Sequence, residues 1–311
     1  MKKIFVTIMV ALCTMGIVAA QDVQAVNDIL EQANAAIQTD KAEAINLFEK
    51  ALVMAEQLGD EGAETVAQCK GVIPKLYMSL GKESIKAKDY TKAVEHLEKA
   101  VEVGKKYEDI ETAEEAQMLI PQILVANGGG LFNAKDYEGA LAVYQKALDM
   151  DPTNAKALLG KGNVLAQLGK VDEAVQAYEL ASQNGEESEA LKRTSNLYKK
   201  QADACYKAKD MKGTLENAKK STQYVDNPAA ERLIGLSAYS LKQYKVAAEA
   251  FEAYLSMSPD AKDKNDIMLR TAMALSSAGD NSKACGYFKQ LVNDPKNGEY
   301  AKGQITTLKC N

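Results

Sequence analysis

The side chains that most often perform chemistry in proteins are scarce in this chain. His96 is the only histidine in 311 residues, so histidine metal sites and histidine general bases are nearly excluded. It stands between Glu95 and Leu97, away from any serine or cysteine motif, which is typical of a surface or partly packed helix residue. The sequence also contains no H-E-x-x-H, G-x-S-x-G or C-x-x-C motif. It therefore predicts no catalytic residue, no metal site and no cofactor.

One glycine cluster, Gly128-Gly129-Gly130, could in principle cradle a phosphate. A phosphate loop needs a strand before it and Gly-Lys-Ser/Thr after it, and neither is present. The triplet falls instead inside a predicted helix, where three glycines cost about 2–3 kcal/mol relative to alanine. Two explanations stay open. The glycines allow close packing with local flexibility, or their bare backbone lines a site that a ligand approaches closely.

The N-terminus has the features of an export signal. Two lysines precede an apolar run from Ile4 to Ala20 that ends in small residues, as in a secretory signal peptide. We predict cleavage after Ala20, so that residues 1–20 are removed and residues 21–311 form a single mature domain. An uncleaved anchor is the alternative. Because residues 1–20 hold two lysines and no acid, cleavage changes the net charge from -5 to -7. The predicted location is the periplasm, the cell envelope or the outside, with no membrane span after cleavage.

Export would place the cysteines in an oxidising compartment, where they can pair. The mature chain holds Cys69, Cys205, Cys285 and Cys310, which allow three complete pairings. Cys285 and Cys310 are close in sequence and belong to the last structural unit, so we predict a disulfide between them. In the chain-entropy model such a bond contributes about 3 kcal/mol. Cys205 falls on an apolar helix face and is predicted to be a small buried side chain.

A short motif recurs along the chain and sets its organisation. It has the form small-Lys-Asp-x-x-x-Ala, is clearest in residues 87–93 and 134–140, and ends on a small residue that we call the anchor residue. Large and small residues alternate at helical spacing on both sides of each anchor residue, which predicts two amphipathic helices joined as an antiparallel hairpin. The seven anchor residues are Ala44, Ala93, Ala140, Ala174, Thr214, Ala247 and Ala284.

Positions around the anchors refine this prediction. Small residues twelve positions before an anchor, such as Gly81, Gly128 and Gly235, are expected to let the two helices approach closely. In the first copy Asp28 and Gln32 replace the usual large and small residues, so this copy is predicted to be weak and to cap the N-terminal end. The aspartates that precede the second helices are predicted to cap them, and they are Asp40, Asp89, Asp136, Asp210 and Asp280.

The spacing between anchors is uneven, and only two of the six steps are close to 34 residues. The excess lies between a second helix and the next first helix, in Glu56–Gln68 and Val103–Gln117. Both segments have helix-forming sequences, so we predict helices lengthened by two or three turns.

The whole pattern resembles the tetratricopeptide repeat, with its large–small pairing on the first helix and a small–aromatic–small series on the second. Pro152 and Pro259 each stand twelve residues after an anchor, where this family places a proline. The resemblance covers about residues 25–295. It implies an all-α, right-handed α-α superhelix of about seven helical hairpins with a concave groove. Residues Gly298–Lys309, with Tyr300, Ile305 and Leu308, are predicted to form a short helix that caps the C-terminal end.

The resemblance also implies which side chains face the groove, because family members turn fixed first-helix positions inward. The groove-facing positions include five basic side chains and two acidic ones, one of which is Asp266. Their net charge is +3, although the chain as a whole is acidic. This charge favours an anionic partner, with chance as the alternative. The candidate binding residues are Lys75, Lys82, Gln122, Val125, Phe132, Lys156, Leu159, Asn163, Asn196, Lys199, Asp203, Tyr206, Arg232 and Tyr239.

These features predict a non-catalytic scaffold or adaptor of the cell envelope that binds a protein or an extended peptide. With 38 Lys+Arg against 43 Asp+Glu, the chain lacks the basic excess of nucleic-acid binders. A glycan-associated protein of a nutrient-uptake system is the alternative, although the absence of tryptophan disfavours aromatic platforms for sugars. An enzyme that relies on carboxylates alone is the remaining alternative, but no pair of carboxylates is evidently placed across a cleft.

Overall fold

A computed structural model describes residues 22–310 of the chain. The predicted signal peptide lies outside the described residues. Within them all regular structure is helical, which confirms the predicted all-α class, and none of the helices has the length and apolar character of a membrane span. The helices are α1 (22–36), α2 (Lys41–Gln57), α3 (Ala63–Lys86), α4 (Tyr90–Lys106), α5 (Ile110–Asn133), α6 (Tyr137–Met150), α7 (Ala155–Gln167), α8 (Val171–Ala181), α9 (Glu187–Lys207), α10 (Met211–Tyr224), α11 (Pro228–Ser240), α12 (Tyr244–Met257), α13 (Lys264–Ser277), α14 (Asn281–Leu291) and α15 (Gly298–Thr307).

The described residues form two compact units whose boundary lies within α7. Unit 1 runs to Val164, and unit 2 begins at Leu165. Inside each unit, helices that follow one another along the chain pack together as hairpins. Each unit has its own core of small and large apolar side chains, one around Phe48 and the other around Phe251. The prediction of one continuous solenoid over residues 21–311 stays a prediction.

The recurring motif builds the same turn in six of its seven copies. The residue five positions before the anchor adopts a left-handed conformation, with φ of 59° at Lys88, and the next N–H donates to a carbonyl five residues earlier. This geometry closes the end of the first helix. All five predicted aspartate caps are confirmed, since each accepts a hydrogen bond from the backbone N–H three residues later. The left-handed residues are Lys88, Lys135, Gly169, Lys209, Lys242 and Gly279.

The predicted pairing of small with large residues also holds. A Cβ at Gly128 would lie 2.7 Å from the Tyr144 ring, so only glycine allows this ring to pack against α5. The same ring would overlap a Cβ at Gly160 of α7. In unit 2 a Cβ at Gly235 would overlap the ring of Phe251. One large ring on the second helix therefore fills the space that a glycine leaves on the first.

The extra length of the repeats lies in the first helices, which corrects part of the prediction. The helices α3 and α5 each have 24 residues and continue through Pro74 and Pro121. Both prolines stand 19 residues before an anchor, as does Pro228, which begins the shorter α11. The segments predicted to be continuous helix contain turns at Gly59 and Glu108, whose φ values are 61° and 64°. The extension is therefore added before the proline, as extra N-terminal turns of α3 and α5.

The first copy of the repeat buries other residues than those predicted by counting back from its anchor residue. Asp28 and Gln32 are exposed, whereas Val26 and Ala33 are buried on the inner side of α1. Ala33 belongs to the same core as Phe48. The weak first copy is therefore a real helix that uses residues next to the aligned ones.

The C-terminal end of unit 2 is closed as predicted. A disulfide joins Cys285 of α14 to Cys310, with a Cα–Cα distance of 5.6 Å. Between these cysteines, α15 buries Ala301 and packs Ile305 against the core of unit 2, and Leu308, directly after α15, packs against the same core. The ring of Tyr300 lies 6.4 Å from the ring of Phe288. The helix is thus held by apolar contacts and by a covalent bond.

The other two described cysteines are free. Cys69 is fully buried, and burial raises the pKa of its thiol to about 11, which makes it unreactive. Cys205 is half-buried rather than buried as predicted, and the Asn217 amide donates to its sulfur at 3.9 Å.

Candidate functional site

Two of the predicted groove residues line an open cleft in unit 1. Lys75 and Lys82 of α3 share this cleft with Met78 and with Glu111 and Glu115 of α5, and its volume is about 450 Å³. Lys82 Nζ lies 2.7 Å from Glu115 Oε1. Lys75 has no ion-pair partner among residues 22–310. The extra turns of α5 therefore bring two carboxylates against the basic positions of α3.

Further along α5, the groove-facing positions carry no charge. Gln122 is exposed, and Val125 and Phe132 are half-buried. The ring of Phe132 packs against the ring of Tyr137, with 5.6 Å between the ring centroids. Met118, which the sequence analysis did not select, is 66 % exposed on the same side of the helix. The surface of α5 is therefore uncharged and largely apolar where the resemblance implied a ligand face.

The glycine triplet lies inside α5, as predicted, and its members have different surroundings. Gly128 faces the Tyr144 ring, so close packing explains it. A Cβ at Gly129 would meet only Tyr144 Oη, at 3.9 Å, and a Cβ at Gly130 would meet no atom within 4 Å. Packing inside the protein thus accounts for one glycine of the three.

The groove-facing residues of α7 differ in how much surface they offer. Lys156 is exposed and has no ion-pair partner in the described chain. Leu159 is buried, so it presents little surface to a ligand. Asn163 is half-buried. Lys156 is thus the accessible cation among the groove-facing residues of α7.

In unit 2 the candidate residues of α9 are partly engaged with one another. Lys199 Nζ lies 2.8 Å from Asp203 Oδ2, one helical turn away. Asn196 and Tyr206 are exposed on the same helix. The α9 positions therefore offer polar and aromatic surface with little net charge.

Arg232 of α11 is held by a residue that the sequence analysis missed. Its Nε donates to Asp263 Oδ2 at 2.7 Å, and Tyr254 Oη donates to Asp263 Oδ1 at 2.6 Å. Partial burial raises the pKa of the Asp263 carboxyl, but the hydrogen bonds from Tyr254 and Arg232 outweigh it and lower that pKa below its ordinary value of 3.8. Tyr239, also on α11, packs edge-on against Tyr244. Arg232 is thus fixed in an ion pair with a neighbouring repeat.

The missed acidic and basic partners share a spacing that sequence reasoning could have used. Glu115 follows Lys82 by 33 residues, and Asp263 follows Arg232 by 31. Lys296 follows Asp266 by 30 and pairs with it at 2.6 Å. Each partner lies about one repeat length later, on the next first helix or the loop beside it. A search one repeat downstream of each groove-facing charge would have found them.

These pairs change the charge that a ligand would meet. Three of the five basic residues counted in the sequence, Lys82, Lys199 and Arg232, are neutralised by carboxylates. The predicted preference for an anionic partner then depends on Lys75 and Lys156, and it stays a prediction.

His96 contacts a serine of the neighbouring helix. Its Nδ1 lies 3.2 Å from Ser84 Oγ, across the hairpin of α3 and α4. In the part of the chain that the structure describes, no three His, Cys, Asp or Glu side chains are grouped to hold a metal ion.

Comparisons with known proteins identify the repeat. No curated protein matches the chain. Among solved structures it is similar to MamA, with 20 % identity over 58 % of this chain and 94 % of that one and a TM-score of 0.37. It is similar to YrrB, which is described as a TPR protein with an unusual peptide-binding site. The identity is 20 % over 58 % of this chain and 91 % of that one, with a TM-score of 0.34. It is also similar to a tetratricopeptide repeat protein from Parabacteroides merdae ATCC 43184, with 18 % identity over 76 % of this chain and 86 % of that one and a TM-score of 0.36. Three family models described as tetratricopeptide repeat match residues 74–107, 131–194 and 232–298.

Proposed function

Because the chain belongs to the tetratricopeptide-repeat family, we propose that it is a non-catalytic scaffold that binds a partner protein or peptide on its first helices. Proteins of this family bind proteins or peptides. One observation carries the proposal: the first helices bury one side in the core and leave the other side open. Lys75, Gln122, Lys156 and Asn196 are exposed on helices whose opposite sides are buried. Such side chains are free to contact a ligand.

The scaffold acts in the cell envelope after export, as a single solenoid of residues 21–311. The basic and apolar N-terminus supports export, and the Cys285–Cys310 disulfide is compatible with an oxidising compartment. Fractionation of the native cells and N-terminal sequencing test this part. Mature protein in the envelope fraction that begins at Gln21 is the expected result, and an intact Met1 in the cytoplasm would contradict it.

Partner binding is tested by crosslinking mass spectrometry on the protein purified from its native envelope. The test variant carries Lys75→Glu and Lys156→Glu, which reverse the two groove-facing lysines that have no ion-pair partner. The control variant carries Lys50→Glu, an exposed position of α2 outside the groove-facing set. We expect the test variant to recover the crosslinked partner several-fold less than the wild type, with equal helicity by circular dichroism.

Equal recovery by the wild type, the control and the test variant would remove these two lysines from the binding surface. Absence of any specific partner from the wild-type sample would overturn the scaffold function itself.

A further inference from the structure

A long stretch of α5 that is partly open to solvent carries no charged side chain. Residues 116–134 contain no Asp, Glu, Lys or Arg, although 26 % of the chain is charged and 19 such residues would average about five. The run is not fully buried, because Met118 and Gln122 are exposed and Val125 and Phe132 are half-buried. Exposed positions that stay uncharged and apolar mark surfaces that contact another molecule.

Five residues of this run share one side of α5. Met118, Gln122, Val125, Gly129 and Phe132 follow one another at spacings of four and three residues, and we call them the α5 face. They extend over about 21 Å of helix. The same spacing forms the contact line between two helices in a coiled coil, where side chains of one helix insert between those of the other.

The glycines give an independent indication of close approach. Packing inside the protein explains Gly128, but it explains neither Gly129 nor Gly130. A helix interior disfavours glycine relative to alanine, so two glycines without a packing reason are a cost to unit 1. Because Gly129 has no side chain, it leaves a gap in the α5 face into which a partner side chain or backbone fits, and Gly130 lies next to this gap.

The chemistry of the α5 face favours a helical partner over an extended one. Gln122 supplies the only polar side chain of the face. An extended peptide laid along it would bury backbone N–H and C=O groups without hydrogen-bond partners. A helix satisfies these groups internally and presents only side chains.

The N-terminal end of the same helix adds a charge preference. Glu111 and Glu114 are exposed and have no ion-pair partner among residues 22–310, whereas Glu115 is paired with Lys82. A basic side chain at one end of the partner helix would meet these two carboxylates.

We propose that the α5 face binds an amphipathic helix of a partner protein, with an uncharged apolar stripe and Lys or Arg at the end that lies over Glu111 and Glu114. This inference rests on the proposed scaffold function and names the conformation and chemistry of the partner. It selects the partner protein from the two options that the sequence suggested, a protein or an extended peptide, and it replaces the predicted anionic preference by a basic one.

Site-specific photocrosslinking tests the proposal in the full exported chain. A photo-crosslinking amino acid replaces Met118 in one version and Val53 in the control version. Val53 lies on α2 of the same unit, is 58 % exposed and is not part of the α5 face. Mass spectrometry then identifies the segment captured in the native envelope, and a synthetic peptide of that segment is the probe for binding.

We expect capture at Met118 and not at Val53, of a segment with apolar residues at i, i+4 and i+7 and a base near one end. Its peptide should gain helicity by circular dichroism when the protein is added. Met118→Glu should weaken its binding at least tenfold, and Val53→Glu should leave it unchanged. Met118 is largely exposed, so this substitution leaves the core intact.

Four outcomes would overturn the proposal: equal capture at both positions, a captured segment from a second copy of this chain, a peptide that stays non-helical when bound, or binding indifferent to Met118→Glu. A peptide that is sensitive to Lys156→Glu but not to Met118→Glu would leave the scaffold function standing and remove only the α5 face.

Discussion

Unit 1 and unit 2 are built from the same hairpin, but long first helices are more frequent in unit 1. In unit 1, α3 and α5 have 24 residues each, whereas in unit 2 only α9 is long, with 21 residues, and α11 and α13 have 13 and 14. The extra turns of α5 bring Glu111 and Glu115 against α3 and carry Met118 on an open face. The added turns of α5 therefore contribute exposed surface as well as the buried side chains of Ala113 and Ala116.

Ion pairs join adjoining repeats in both units, but one open face of unit 1 carries no charge. In unit 2, Arg232 is bound by Asp263, and Asp266 is bound by Lys296 and Asn297. In unit 1, the α5 face has no such partners because it has no charges. In unit 1, Lys82 is paired with Glu115 in the same way. Unit 1 therefore combines the ion pairs that both units use with the α5 face, for which we propose partner binding.

The largest expected effect tests whether the two units share one packing rule. Tyr144→Ala in unit 1 and Phe251→Ala in unit 2 each remove a buried ring that fills the space beside a glycine. Each should lower the free energy of unfolding by about 3–5 kcal/mol, as measured by urea denaturation. A loss near zero for one variant only would break the equivalence of the units.

The disulfide should matter for unit 2 alone. Replacing both cysteines, by Cys285→Ser with Cys310→Ser, should lower the stability of the C-terminal end by about 3 kcal/mol. Hydrogen exchange should then rise in α15 and stay unchanged in α2–α6. Cys205→Ser, at a free cysteine, serves as the control. Faster exchange throughout unit 1 in the double variant would contradict a local role.

The glycine triplet gives a sharper test within unit 1. Gly130→Ala should raise the free energy of unfolding by up to about 1 kcal/mol, because alanine favours the helix and its Cβ meets no atom. Gly128→Ala should lower it, because the new Cβ would press on Tyr144. Thermal denaturation distinguishes the two signs. Equal effects of both substitutions would contradict the assignment of only Gly128 to packing.

The smallest expected effect concerns pH and unit 2. The folded state lowers the pKa of the Asp263 carboxyl below its ordinary value of 3.8. The carboxylate therefore stabilises the folded protein at pH values above 3.8, and this stabilisation is lost as the pH falls through the lower pKa of the folded state. Between about pH 5 and about pH 3, the wild type should lose about 0.5 kcal/mol more than Asp263→Asn. Denaturation curves at both pH values measure the difference, and parallel losses would exclude Asp263 as a contributor.

The local structure of the repeats was predictable from the sequence. The aspartate caps, the hairpin turns and the glycine–ring pairs each depend on residues close together or at a fixed spacing from an anchor. Hydrogen bonds of a cap join residues three apart, so the motif itself specifies them. The Cys285–Cys310 bond was also predictable because both cysteines belong to the last hairpin and its cap.

The register of the first helices was less predictable. In the first copy the alignment selected Asp28 and Gln32, but burial favours Val26 and Ala33, which are apolar and lie on the inner side. Likewise, helix propensity did not reveal that the chain turns at Gly59 and Glu108 before α3 and α5 begin. A propensity summed over a segment does not register a single left-handed residue that reverses the chain.

For the candidate site, the sequence determined which side chains are available, and the tertiary structure decided how they are used. The motif alone specified paired helices with small residues against large ones, because its interactions are local. Whether Lys82 or Arg232 is free to meet a ligand depends on Glu115 and Asp263, which lie about one repeat away. Such neighbours are brought together only when successive hairpins pack, since burial of apolar area, and not the charges themselves, sets how the helices dock.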